Sequence, residues 1–362
     1  VLFFVTFCYT FLYLRKKEVF ILKKHFAFLL IAMLLISAMF TGCTPAPAAP
    51  APVATEAGAT EAATEAPPAP ANLILATGGT SGTYYPFGGA MAQIFNSKIE
   101  GMNVTAQSTG ASVENLKLIG KKEVELAIVQ NDTTDYALKG IEVFAGGKIE
   151  NVRAIASLYP EVIQIVVSGK SGITSLAEIK GKKFSVGAPG SGVEANARQI
   201  FEAIGLTYKD FTPNYLSFSE SADQYKDNLI DGFLFTSGIP NSAIQDVGAQ
   251  NQLTFLSIDD AMIEALTAKY EFLTAYTIPA GTYPGQDKDV KTVAVKAILV
   301  CGAEVSEEAV YNLTKALFEN QPELASAHAK GELVDINKAA DGISIPFHPG
   351  AQKYLTEKGI LK

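Results

Sequence analysis

The chain has 362 residues, 48% of them hydrophobic and 18% charged, a composition that excludes intrinsic disorder and suffices for one large or two ordinary domains. Its net charge of −8 is unevenly spread: residues 1–43 carry five Lys or Arg against one Glu, residues 44–71 carry three Glu, and −9 is left for the remainder. A body that acidic lacks the basic face on which duplex binding depends, so nucleic acid is excluded as a partner, and an anionic ligand has to be held by local groups rather than by the overall field.

The chain opens with an apolar run, Val1 to Leu14, closed by Arg15-Lys16-Lys17; Lys23-Lys24 then precede a second run from Phe26 to Phe40, followed by Thr41-Gly42-Cys43. A basic start, an apolar stretch too short for a comfortable membrane span and small residues before a cysteine are the parts of a secretory signal, expected over residues 1–42. Because the first residue is Val, initiation is expected near Val19 or Leu22, residues 1–22 being a start assigned too early, with a two-span anchor as the alternative. Phe40-Thr41-Gly42-Cys43 resembles the bacterial lipoprotein signal-peptidase box, with Phe40 where Leu is usual, and implies lipidation of Cys43. A cleaved ordinary signal ending in cysteine is the other reading. Residues 44–71 hold only Ala, Pro, Thr, Glu, one Val and one Gly, so 43–71 reads as a tether. It spans about 85 Å as polyproline and about 30 Å as a coil.

From Asn72 the pattern becomes short β-rich runs, each followed by small residues and a helical period. Leu73 to Thr77 reads as a strand, Gly78 to Thr83 as a turn and Tyr84 to Ser97 as a helix with Pro86 in its first turn. Asn103 to Gln107 and Glu125 to Gln130 are further strands, separated by a helix over Ser112 to Ile119 for which Ser112 is the expected N-cap. After the apolar run Val162 to Val167, Ser175-x-x-Glu178 and Ser191-x-x-Glu194 have capping-box spacing, with Lys183 to Gly187 a strand between them and a helix running on to Ile204. Leu229 to Phe235 and Val293 to Val300 are strands, and Val310, Leu313, Leu317 and Phe318 line one helical face behind Ser306. Strand-helix alternation predicts an α/β fold with largely parallel sheets in two lobes joined by two crossings.

Chemistry-bearing residues are sparse. Of three cysteines only Cys301 lies in the body, and His328 and His348 stand near the C-terminus outside any cluster with ligand spacing, so neither a metal centre nor histidine catalysis is expected. No lysine follows the glycines of 78–89 to complete a Walker loop, and no Gly-x-Gly-x-x-Gly is present there. The expectation is therefore no cofactor and no enzyme, a serine/glycine-loop enzyme of the cell envelope being the reading from another class. Ligands of open α/β sheets bind beyond the carboxyl ends of strands. Three such ends, Thr77 to Thr83, Gly187 to Gly192 and Thr236 to Gly238, carry glycine and hydroxyl residues. Ordinary turn chemistry explains any one of them; three spread over both lobes point to a cleft.

Leu75-Ala76-Thr77-Gly78-Gly79-Thr80-Ser81-Gly82-Thr83-Tyr84-Tyr85-Pro86, Ser112-Val113-Glu114-Asn115-Leu116, Ala127 to Asp132, Gly187 to Gly192 and Phe235-Thr236-Ser237-Gly238-Ile239-Pro240 occur in that order. Together with Ile278 to Tyr283 and Pro346 to Ala351 they resemble the TAXI solute-binding proteins of tripartite ATP-independent periplasmic (TRAP) transporters, from about Asn72 to the C-terminus. The resemblance implies a two-lobed periplasmic-binding-protein-like fold of type II that closes a cleft on an acidic amino acid such as glutamate, or on another small organic acid. It also implies a membrane permease as partner. Some members are lipid-anchored and others free in the periplasm. The expected lobes are 72–165 with 292–362, and 166–291, bending near Val166 to Ser168 and Lys291 to Lys296. With Arg153 and Arg198 the only arginines of the body and neither placed as a clamp, ligand carboxylates are assigned to N–H and hydroxyl groups of Gly79, Thr80, Ser81, Ser191, Gly192 and Val193. Thr236 and Ser237 are added from the third loop. Glu114, Asn115 and Gln130 are the expected acceptors for an ammonium, and Tyr84 either covers the ligand or packs in the core.

Overall fold

The computed structural model describes residues 71–362; the signal region, Cys43 and the tether lie outside the described residues. No helix among the described residues is long and apolar enough to cross a membrane. β1 (Ala71–Ala76) runs parallel to β2 (Met102–Gln107) and β3 (Leu126–Gln130), with α1 (Tyr84–Lys98) and α2 (Ser112–Lys121) as crossovers. α3 (Asn131–Lys139) follows β3 directly. β4 (Val152–Ser168) is a long strand, after which β5 (Lys183–Ser185), α4 (Gly192–Ala203), β6 (Thr212–Asn214), α5 (Phe218–Lys226) and β7 (Gly232–Ser237) build a second parallel set. α6 (Ser242–Gln250), β8 (Leu253–Phe255), α7 (Asp260–Lys269) and β9 (Thr274–Ile278) lead to β10 (Val290–Gly302), and α8 (Glu307–Glu319), α9 (Gln321–Ala327) and α10 (Pro349–Glu357) close the chain.

The strand order is β2-β1-β3-β10-β4-β7-β5-β6, with β8 on β4 and β9 on β10. Strands within each parallel set follow the expected βαβ pattern, whereas β4 and β10 pair antiparallel with each other and with their neighbours. Both run through the whole molecule, and the two-lobed α/β fold is organised around them. Their side chains show where the lobes meet. Ile155, Leu158 and Tyr159 of β4 and Ala297, Leu299 and Cys301 of β10 join the core under α1 and α8. Ile163 and Ile165 of β4 join Val293 and Val295 of β10 in the core with Phe184, Ile200 and Phe201. The change of core falls at Pro160-Glu161 in β4 and at Lys296 in β10. A run buried on both faces has no alternation to mark which lobe its side chains enter.

Local signals place most element starts. Ser191 Oγ accepts the Glu194 N–H at 3.2 Å, Ser306 caps α8, and Ser175 and Glu178 form a reciprocal capping box on a short 3-10 turn. Two expectations are corrected. Ser112 is the first helical residue, not the cap; Ala111 with φ 74° precedes it, and the Ser112 hydroxyl instead accepts the Gln130 N–H at 3.1 Å. The strand expected from Leu229 starts at Gly232, because Asn228 (φ 57°) ends a turn that leaves Leu229 55% exposed.

Candidate functional site

Between the lobes lies a cavity of about 90 Å³, measured as space open to the centre of a water molecule, enough for a ligand of several heavy atoms. Four helices begin at its wall. Thr83 and Tyr84 start α1, Ala111 and Ser112 start α2, Ser191, Gly192 and Val193 start α4, and Ser217 and Phe218 start α5. No side chain caps α1 or α2; with the Glu114 N–H given to Gly190 O and Pro86 lacking one, the N–H groups of Tyr84, Tyr85, Ser112 and Val113 are the first-turn donors without a capping side chain. Each terminus carries roughly half a positive charge. No Lys or Arg lines the cavity, and the single carboxyl group there is that of Glu161.

Glu161 stands on β4 where the strand passes from one lobe to the other and is 2% exposed. The Tyr84 hydroxyl donates to its Oε2 at 2.6 Å. Burial pushes the carboxyl up to about 8; Tyr84, Gln130 and Lys330 pull it down and Asp132 adds to the rise. Tyr84 and Tyr159 are in turn held well above the usual phenol range, by burial first and Glu161 second. Gln130 Oε1 and Thr236 Oγ1 are buried without a hydrogen-bond partner, and both residues line the cavity. An orphaned buried acceptor costs about 1–3 kcal/mol, and these two are the orphaned side-chain atoms on the cavity wall.

The lobes are in contact around this space. Asn196 Nδ2 donates to Asp132 Oδ2 at 2.9 Å, Gln199 Nε2 to the Tyr136 hydroxyl at 2.9 Å, the Glu114 N–H to Gly190 O at 3.1 Å and the Ser242 hydroxyl to Ser81 O at 3.1 Å. Lys330 Nζ donates to Ile239 O. A Cβ on Gly192 would lie 1.9 Å from Gln130 Oε1 and 3.1 Å from Ser112 Oγ, so only glycine lets α4 approach the end of β3 this closely.

Of the residues singled out from the sequence, Gly79, Ser81, Tyr84, Gln130, Ser191, Gly192, Val193, Thr236 and Ser237 line the cavity. Thr80, Glu114 and Asn115 do not. Thr80 is exposed in its turn. Glu114 is an exposed first-turn residue whose Oε2 accepts the Gly110 N–H at 2.8 Å. Asn115 is consumed as a brace: its Nδ2 donates to Thr77 O at 2.7 Å and Ile128 O at 3.0 Å, and its Oδ1 accepts from Thr109 at 2.6 Å. The sequence reading missed Ser112, Thr109, Ser217 and above all Glu161. Its signal was present, a lone carboxylate beside Pro160 in an otherwise apolar run, where a charge is costly to bury without a purpose.

Catalytic groups are not assembled here. His348 accepts the Gly350 N–H through Nδ1 and pairs with Val305 O through Nε2, His328 caps the 3-10 turn Ala329–Leu333, and Cys301 is buried with its thiol pushed up by burial. Among the described residues no group of three His, Cys, Asp or Glu is placed to hold a metal.

The chain is similar in fold to solved structures of low identity. A protein of Bordetella bronchiseptica RB50 aligns at 16% identity over 79% of this chain and 88% of its own, with a TM-score of 0.50. The alkanesulfonate-binding protein SsuA from Xanthomonas axonopodis pv. citri, bound to MOPS, aligns at 14% identity over 80% and 84%, with a TM-score of 0.43. A binding protein component of an ABC phosphonate transporter from Pseudomonas aeruginosa aligns at 14% identity over 72% and 78%, with a TM-score of 0.47. A family model matches residues 75–359, which take in every strand after β1 and the entire cavity wall, and the chain belongs to the NMT1-like family.

Proposed function

We propose that the protein is an extracytoplasmic solute-binding lipoprotein that captures a small carboxylate, in the first place an acidic amino acid such as glutamate, and delivers it to a TRAP membrane permease. The observation that carries the binding reading is the convergence of four helix N-termini on one interlobe cavity that contains no basic side chain. Such termini hold a carboxylate through N–H groups and dipoles. The TRAP assignment is supported by the ordered motifs from Thr77 to Ala351, and the anchor by the box at Cys43. A tethered body that opens and closes over its cleft fits capture outside the cell and hand-over at the membrane.

The test is a thermal-shift panel of amino acids and dicarboxylates. A solute at 100 times its Kd raises apparent stability by about 2.7 kcal/mol; a panel with no shift sinks the binding reading. Uptake of the captured solute should collapse with the ion gradient and survive removal of ATP. Dependence on ATP would replace the TRAP permease by another transporter.

A further inference from the structure

The hinge position of Glu161 carries a consequence for which solutes the cleft takes; the argument rests on the solute-binding reading. A cavity that only had to hold an anion at four helix N-termini has no use for a buried carboxylate, which opposes the ligand's own charge. Yet Glu161 is the one carboxyl group of the wall, with no Lys or Arg beside it there. The same wall carries the orphaned Gln130 Oε1 and Thr236 Oγ1. Gln130 Oε1 is an amide oxygen and can only accept. A carboxylate and two unpartnered oxygens are three acceptors, and an ammonium has three N–H donors.

We propose that Glu161 selects solutes bearing an ammonium over plain carboxylates, receiving the ammonium together with Gln130 Oε1 and Thr236 Oγ1, and that it gives up a proton as the ammonium arrives. The O–H bond of the neutral Glu161 carboxyl breaks, its proton passes to bulk buffer, and the carboxylate left behind pairs with the ligand's positive charge. No oxidation state changes and no co-reactant is needed. In this structure the carboxyl faces Tyr84 from α1, Tyr159 from its own strand, Asp132 from α3 and Lys330 from the 3-10 turn. Lys330 is committed to Ile239 O, and Lys296, which follows the Val295 paired with Glu161, is committed to Asp341 at 3.1 Å. The wall formed by α4 contributes Ser191, Gly192 and Val193, none of which titrates. With the group at about 8, about nine molecules in ten hold the proton at pH 7.

The experiment is titration calorimetry of the full-length protein with glutamate and with a dicarboxylate of the same length lacking the amine. Each is run in two buffers of different ionisation enthalpy between pH 6.5 and 8.5. Glutamate should release close to one proton at pH 7 and bind about 25-fold more weakly at pH 6.5 than at pH 8.5. The dicarboxylate should release none. Glu161→Gln should weaken glutamate binding by about thirtyfold or more, flatten its pH profile and leave the dicarboxylate within about threefold. Tyr84→Phe, which removes one donor to the carboxylate, should move proton release to higher pH and keeps the test open should Glu161→Gln fail to fold. Glutamate binding without proton exchange, an unshifted profile in Tyr84→Phe, or wild-type glutamate affinity in a folded Glu161→Gln overturns the inference and leaves the solute-binding reading standing. Binding of neither ligand overturns both.

Discussion

Replacing Gly192 by Ala tests whether the cleft works by closing. Gly192 is the first residue of α4 and has no left-handed backbone angle, so alanine fits its conformation. Only if the lobes part does the new methyl clear Gln130 and Ser112, and the exchange of Gly for Ala in a helix is itself neutral to favourable by up to about 1 kcal/mol. In the closed protein it would sit 1.9 Å from Gln130 Oε1, 2.5 Å from Gln130 Cδ and 3.1 Å from Ser112 Oγ. Either the lobes remain apart or the Gln130 amide swings into the space the ligand needs. Overpacking of this size costs about 1–3 kcal/mol, all of it charged to the closed form, so affinity should fall about 5- to 150-fold while the unliganded melting temperature holds or rises. Calorimetry with the best solute and small-angle scattering with and without it measure the two quantities. Wild-type affinity together with wild-type compaction would refute the argument that this contact limits closure.

Glu114→Gln should change binding of amino acids and dicarboxylates alike by less than about threefold, since Glu114 serves the Gly110 N–H outside the cavity wall; a selective loss for amino acids would return the ammonium site to Glu114. The unliganded protein should become less stable as pH rises from 5 to 8. Burial raises Asp132 from 3.8 to about 6 and Glu161 from 4.5 to about 8, so the folded state holds protons that the unfolded state has released. At 1.36 kcal/mol per unit the whole shifts amount to at most about 3 and 5 kcal/mol, of which about 1.4 and 3.5 kcal/mol fall between pH 5 and 8, and a denaturant midpoint that is flat or rising over that range contradicts the assignment. Ser191→Ala should lower stability by about 1 kcal/mol through loss of the α4 cap and weaken both ligand classes together, read by denaturation and calorimetry; an effect confined to one class would count against a shared carboxylate site. Cys43→Ala should release the protein from membranes, checked by fractionation and mass of the N-terminal peptide, and unchanged retention without lipid on the wild type would favour a two-span anchor.

Local chemistry alone determined the start of most elements and the character of the loops that meet at the cleft. Ser191 and Ser306 announce α4 and α8 because an N-cap bond closes within three residues, and the glycine and hydroxyl residues after β1, β5 and β7 follow from what a strand end needs. The fold class was legible for the same reason, since alternation of apolar strands with helical periods is written in windows of a dozen residues.

What only the tertiary structure decided is which polar residue lines the cavity and which serves the scaffold. Glu114 and Asn115 occupy one helical turn beside the site and look alike as acceptors in the sequence, yet Gly110, Thr77, Ile128 and Thr109 consume them. Glu161 became a site residue because β4 changes lobes there, bringing it to Tyr84, 77 positions away, and to Lys330 in the C-terminal segment. No local pattern encodes that crossing, because its strand is buried on both faces in both lobes and only the packing of distant helices assigns each side chain to one core or the other.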